Sequence, residues 1–170
     1  MKRFLTLTLG LLMAMGLFAQ EQDLDAKYAA DLLKPGTPAP EFVLNDINGN
    51  AVKMSQFRGK TVVLIFWASW CPDCRAEVPA LKELQARTDP GKVVFVSVSF
   101  DRTEEAWKKY VAENELGGVQ LFDAAGKKES KVGDAYQVKW IPSQYIIGPD
   151  GKVVLGTVVL DKVVKALNSK

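Results

Sequence analysis

Residues 61–75 read TVVLIFWASWCPDCR, and the order of those letters decides the fold. Thr61–Trp67 is an uncharged run rich in β-branched and aromatic side chains, the pattern of a strand covered on both faces. Pro72 then suits the first turn of a helix, and Val78, Leu81 and Leu84 recur at three-residue spacing in a helical pattern that extends to Arg87. A buried strand therefore runs into a helix, with two cysteines at the junction.

Working outward, Lys92–Phe100 (KVVFVSVSF) repeats the buried-strand pattern. Thr103 is a suitable N-cap for a helix over Thr103–Glu113, whose apolar residues are Ala106, Trp107, Tyr110 and Val111. Strand, helix, strand, helix implies parallel pairing, because a crossover helix is what parallel neighbours need. Leu116–Phe122 adds a short apolar piece, Lys127–Tyr136 is predicted as a single helix, and Ser143–Ile147 as a strand. The turn signal Pro149-Asp150-Gly151 predicts that Lys152–Leu155 returns antiparallel, before a closing helix over Val159–Asn168. Upstream, Glu41–Asn45 and Ala51–Met54 flank Asn48-Gly49, a dipeptide expected to supply the positive φ angles of a tight hairpin turn. The pattern predicts an α/β domain over residues 36–170: a mixed central sheet, helices on both faces and an N-terminal β-hairpin. No internal repeat, low-complexity tract or second-domain linker interrupts it.

The whole chain has 170 residues, 48% hydrophobic and 25% charged, with 2 Cys and 0 His, which fits one ordinary globular core. Without histidine, Ser-His-Asp and Cys-His nucleophile pairs, imidazole-ligated zinc and a histidine pH switch are all excluded. Lys2 and Arg3 precede the uncharged stretch Phe4 to Phe18, followed by Ala19 and the polar run Gln20 to Asp23, which is the layout of a secretory signal over residues 1–19. Cleavage is expected after Ala19; retention as an N-terminal membrane anchor is the alternative, although the stretch is shorter than the ~20 apolar residues of a bilayer span. Residues 20–35 form a polar leader with a weak helical pattern in Leu24, Tyr28 and Leu32. Losing Lys2 and Arg3 takes the formal charge of +2 to zero, and nothing in the sequence suggests nucleic acid. The expected location is periplasmic or otherwise extracytoplasmic, where a cysteine pair can persist as a disulfide.

Cys71 and Cys74 are therefore the residues to weigh. A purely structural disulfide three residues apart closes a tiny loop, worth roughly 2 kcal/mol against ~4.7 for a loop of 100 residues. A metal site lacks further soft or imidazole ligands, since Met54 is the only methionine left after cleavage. Inert packing cysteines are the third bland reading. A redox-active dithiol accounts for the position itself. With Cys71 as cap and Pro72 as first helical residue, the amides of Asp73 and Cys74 point back at the Cys71 sulfur, and the helix dipole favours its anion. Cys71 is then the attacking thiolate, and Cys74, one turn inside and less exposed, resolves the mixed disulfide. No cofactor is required.

The run Phe66-Trp67-Ala68-Ser69-Trp70-Cys71-Pro72-Asp73-Cys74-Arg75, with Pro79 and the later Ile141-Pro142, resembles the thioredoxin superfamily. Pro38-Ala39-Pro40-Glu41-Phe42, Phe57-Arg58-Gly59-Lys60, Glu77 and the signal segment make the chain similar, over roughly residues 36–168, to the secreted TlpA/ResA-like thiol-disulfide oxidoreductases. The resemblance implies a thioredoxin-like fold and a cis peptide bond at Pro142, which lies against the two cysteines. It further implies that electrons arrive from a membrane thiol carrier, and that the clients are proteins with disulfides, cytochrome c precursors among them. Pro142 lacks an N–H, leaving the neighbouring backbone of Ile141 to pair with an extended client segment. Trp70 is expected to be a partly exposed wall of the site, Trp67 a core residue and Pro79 a structural kink.

Many thioredoxins carry a buried Asp six residues before the first cysteine, where this chain has Ile65. Glu77 is the replacement candidate, because at i+3 from Cys74 it shares that helix face and is placed to exchange a proton with the resolving thiol. Asp73 stabilises the helix start but opposes a nearby thiolate, which favours a reductant of protein disulfides over an oxidant. A disulfide-forming oxidant would use the same residues in reverse, and a non-enzymatic metal-binding module would hold its ion at the pair. A thiol peroxidase would need Pro and Thr where Leu64 and Ala68 stand.

Overall fold

The computed structural model describes residues 23–168; the signal segment and its cleavage point lie outside the described residues. Along the chain the elements are α1 (Leu24–Tyr28), β1 (Val43–Asp46), β2 (Ala51–Lys53), a 3-10 turn (Met54–Phe57), β3 (Thr61–Trp67), α2 (Pro72–Arg87), β4 (Val93–Ser99) and α3 (Glu104–Glu113). They continue as β5 (Val119–Phe122), α4 (Gly126–Glu129), α5 (Lys131–Ala135), β6 (Ser143–Ile147), β7 (Val153–Thr157) and α6 (Leu160–Asn168). The seven strands form one sheet in the order β2-β1-β5-β4-β3-β6-β7. β3 pairs parallel with β4, and β4 with β5; every other pairing is antiparallel. This is the mixed sheet that the sequence predicts.

β3 is central and buried at all seven positions, which is why its sequence shows no alternation. Residue register puts Gln120, Ser97, Ile65 and Gln144 in one row across β5, β4, β3 and β6. That row faces α2: Ile65, Ser97 and Gln120 line a cavity with Val78 and Leu81, and Gln144 bonds to Glu77. On the opposite face Phe66 packs against Phe100, Tyr136 and Tyr145. Helices thus cover both faces.

Residues 23–33, set apart by the sequence as part of a polar leader, are tied to the sheet, Leu33 through Tyr145 of this second face and Asp25 through the end of β7. Leu32 is 2% exposed, and the Leu33 N–H donates to Tyr145 Oη at 3.0 Å. The Asp25 carboxylate accepts from Thr157 Oγ1, the Val158 N–H and Lys162 Nζ. Burial opposes its ionisation, but these donors outweigh that and hold its carboxyl below the usual range.

Two local expectations are corrected. In the β1–β2 hairpin only Gly49, not Asn48, has positive φ, because Asp46 organises the turn by accepting from the Asn48 and Asn50 amides. The single helix expected over Lys127–Tyr136 is two short helices, broken at Ser130. Ser130 takes an extended conformation, caps α5 through the Gly133 N–H at 2.6 Å and donates to Asp123, so its hydroxyl competes with the helix ladder. By contrast α2 runs unbroken through Pro79, where the absent N–H leaves the Arg75 carbonyl without its helical donor.

Candidate active site

β3 ends at Trp67, and four residues, the last of them the cap Cys71, carry the chain from the sheet to the start of α2. That connection is clamped from below. Asp101, 1% exposed, accepts from the Ser69 N–H at 3.1 Å, from Ser69 Oγ at 2.6 Å and from Ser99 Oγ at 2.7 Å. The clamp fixes the residues immediately before Trp70 and Cys71. Trp70 itself is 48% exposed and stands beside the site, whereas Trp67 is buried, as expected of each.

Cys71 is the N-cap of α2, with Pro72 in the first helical position. Cys71 and Cys74 form a disulfide with Cα atoms 5.3 Å apart. The Cys74 N–H donates to Cys71 Sγ at 3.2 Å, so the helix end presents an amide to that sulfur as the cap geometry requires. Of the two amides expected there, Asp73 makes no such bond among the described residues. Exposure also separates the cysteines less than expected: Cys71 is 5% and Cys74 3% exposed.

What separates them is company. Cys71 Sγ lies 3.6 Å from the carbonyl oxygen of Ile141, and the Ile141–Pro142 bond is cis. Ser143 Oγ donates to Trp140 O at 2.7 Å, Trp140 stacks on Tyr28 with ring centroids 4.2 Å apart, and Lys127 Nζ donates to Lys139 O. Three different elements therefore hold the loop that meets Cys71. Cys74 instead faces inward, onto a cavity of about 40 Å³ whose lining includes Ile65, Glu77, Lys82 and Pro142.

Glu77 is the ionisable group of that inner side nearest in sequence to Cys74. Its carboxyl is pushed up to about 7, chiefly by burial and further by Asp73 and Asp161, against a hydrogen bond from Gln144 that favours the charged form. The sequence supplied Cys71, Cys74, Glu77, Trp70, Ile141 and Pro142, and the structure brings all six to the N-terminal end of α2. It missed two supports. Asp101 gave no motif, and Gln144 gave only the faint signal of an amide in an otherwise strand-like run two residues after Pro142. Among the described residues, no group of three or more Cys, His, Asp or Glu is arranged to hold a metal.

A seven-stranded mixed sheet, a helix capped by the first cysteine of a C-x-x-C pair and an Ile141–Pro142 loop whose Ile141 carbonyl meets that cysteine define a thioredoxin-like redox enzyme. Residues 35–155 match the AhpC/TSA family, and the chain belongs to it. Among curated relatives it is similar to the thiol-disulfide oxidoreductase ResA of Bacillus cereus, 34% identical across 70% of this chain and 66% of that one. The ResA of Oceanobacillus iheyensis is 33% identical across 81% of this chain and 73% of the relative. Of solved structures, the thioredoxin domain of a thiol-disulfide oxidoreductase from Bacteroides vulgatus superposes with a TM-score of 0.73 at 29% identity, covering 81% of this chain and 97% of that domain. These likenesses place the chain among the thiol-disulfide oxidoreductases.

Proposed function

We propose that the protein works outside the cytoplasm as a reductase of protein disulfides, acting through Cys71 and Cys74. In the reduced form the Cys71 thiolate attacks one sulfur of a client disulfide, forming a mixed disulfide and releasing the other client sulfur as a thiolate. Cys74 then loses its proton to Glu77 and attacks Cys71 Sγ. The client leaves with two thiols, and the enzyme is left as the Cys71–Cys74 disulfide described above. Two electrons have passed from the enzyme to the client, and a membrane thiol carrier restores them.

The observation that carries this reading is the opposite surroundings of the two sulfurs: a helix-end amide and a cis-proline loop at Cys71, an ionisable carboxyl beside Cys74. Trp70 and the Ile141–Pro142 backbone form the client groove; the Ile141 N–H has no partner among the described residues, which leaves it for an extended segment. Asp73, rather than a cation, lies between the cysteines, which favours the reducing direction. Apoproteins of c-type cytochromes, whose cysteines must be reduced before haem attachment, are the proposed clients, and the segment 1–19 delivers the chain to them.

A Cys74→Ser variant expressed in the native compartment tests the reading, because it arrests the mixed disulfide. Client proteins captured by that variant and absent with Cys71→Ser support it. An empty trap, or a reduction potential well above about −200 mV as for strong oxidants, overturns the reductase assignment.

A further inference from the structure

β6 is buried at every position, yet its second residue is an amide. Gln144 is 0% exposed and lies in register with Ile65 of β3 and Thr157 of β7. Two residues beyond Pro142, it shares the sheet face under α2. Its Nε2 donates to Glu77 Oε2 at 2.7 Å, while its Oε1 has no hydrogen-bond partner among the described residues. A half-satisfied buried amide costs stability that an apolar side chain of the same size would not. Packing therefore does not account for Gln144, and the one side-chain bond it makes leads to the carboxyl beside Cys74.

The surroundings of Glu77 leave that bond without a substitute. Asp73 on α2 and Asp161 on α6 both disfavour its charge. Among the described residues Lys82 is the only cation lining the cavity, and its Nζ is engaged with the Asn114 carbonyl at 2.9 Å and with Glu115. From the sheet, β3, β4 and β5 present Ile65, Ser97 and Gln120 to the same space, none of them charged.

We propose that Gln144 is a positioning residue for the resolving half-reaction: its Nε2 holds the Glu77 carboxylate beside Cys74 in the ionised form that accepts the Cys74 proton. The proton moves from Cys74 Sγ to Glu77. The resulting thiolate attacks Cys71 Sγ, the Cys71–Cys74 bond forms, and the bond from Cys71 to the client sulfur breaks with its electron pair on the client. Gln144 exchanges no proton. This inference rests on the role given to Glu77 above.

The test uses the reduced full chain and 5,5′-dithiobis(2-nitrobenzoate). The first thionitrobenzoate released reports attack by Cys71; the second, from the Cys71 mixed disulfide, reports attack by Cys74. In the parent, the second phase accelerates with pH through a midpoint near that of Glu77. Gln144→Leu is expected to move that midpoint upward by about one pH unit, the worth of one hydrogen bond to a charged acceptor, and to leave the first phase unchanged. In a Glu77→Gln background the same substitution should change nothing. Titration of the Glu77 carboxyl by carbon NMR in the oxidised protein gives a second readout, expected to shift by the same amount, and Gln144→Met serves if the leucine variant does not fold. An unmoved midpoint with Gln144→Leu, while Glu77→Gln abolishes it, overturns the role of Gln144 alone. A profile insensitive to Glu77→Gln overturns the role of Glu77 and this inference together.

Discussion

The Cys71 and Cys74 sides of the dithiol are three residues apart in sequence and belong to different parts of the molecule. Cys71 is governed by backbone: a helix-end amide, the Ile141 carbonyl and a loop clamped through Ser69. Cys74 is governed by side chains, above all a carboxyl that burial brings to about 7 and an amide reaching it from another strand. The first setting favours an anion at all working pH values, because amide dipoles do not titrate. The second switches near neutrality, where a group can both take and return a proton. The pair thus divides attack and resolution by physical origin as well as by sequence position.

Removing either sulfur breaks this division most severely. Cys71→Ala should abolish disulfide reduction outright, whereas Cys74→Ala should retain the first attack at near-parental rate and stall afterward. Stopped-flow fluorescence of the neighbouring Trp70, together with mass spectrometry of the adduct, separates the two; equal loss of the first step in both would erase the distinction.

Neutralising the inner side comes next. Glu77 keeps its proton in the folded chain while the unfolded chain releases it near 4.5, so between pH 4.5 and about 7 stability falls as pH rises. The full loss is about 3 kcal/mol. Glu77→Gln should flatten that slope and raise stability above pH 7 by a similar amount, while slowing resolution; urea melts across the range measure it. A slope that survives the substitution places its origin elsewhere. The depressed Asp25 acts with opposite sign and in a separate window, its contribution being lost as pH falls below 3.8.

Loosening the outer side should have a smaller effect. Asp101→Asn gives up an acceptor for Ser69 or Ser99 and is expected to cost about 2 kcal/mol of stability, with slower attack by Cys71 and little change in the pH midpoint of resolution. Denaturant melts and the two-phase thiol assay read both quantities, and a shifted midpoint would show that the two sides are coupled. Asp73 faces both. Asp73→Asn should lower the titration midpoint of Glu77 by about half a unit, measured by carboxyl NMR, and speed alkylation of Cys71 at fixed pH. A change confined to one of them would narrow its influence to that side.

On the outer side the sequence displayed the helix cap and the cis-proline loop but not the Asp101 clamp, and it promised a second amide at Cys71 that the structure does not supply. Helix starts and caps are set by residues within a few positions, so Cys71-Pro72 at the end of Thr61–Trp67 already implied an amide aimed at a sulfur. The inner side was legible only in part. Glu77 followed from helical spacing, but Gln144 lies 67 residues away and meets it through strand register, which a single sequence does not display. The same limit explains Lys127–Tyr136, where the docking of Ser130 onto the buried Asp123 breaks the expected helix.

Sequence alone thus determined the redox pair, the polarity of the helix that primes it and the sheet that carries both, because these depend on neighbours along the chain. Tertiary structure decided the protonation of Glu77, the clamp at Ser69 and the attachment of residues 23–33. Each of these depends on burial and on partners supplied by distant parts of the chain, so each exists only once the chain has folded.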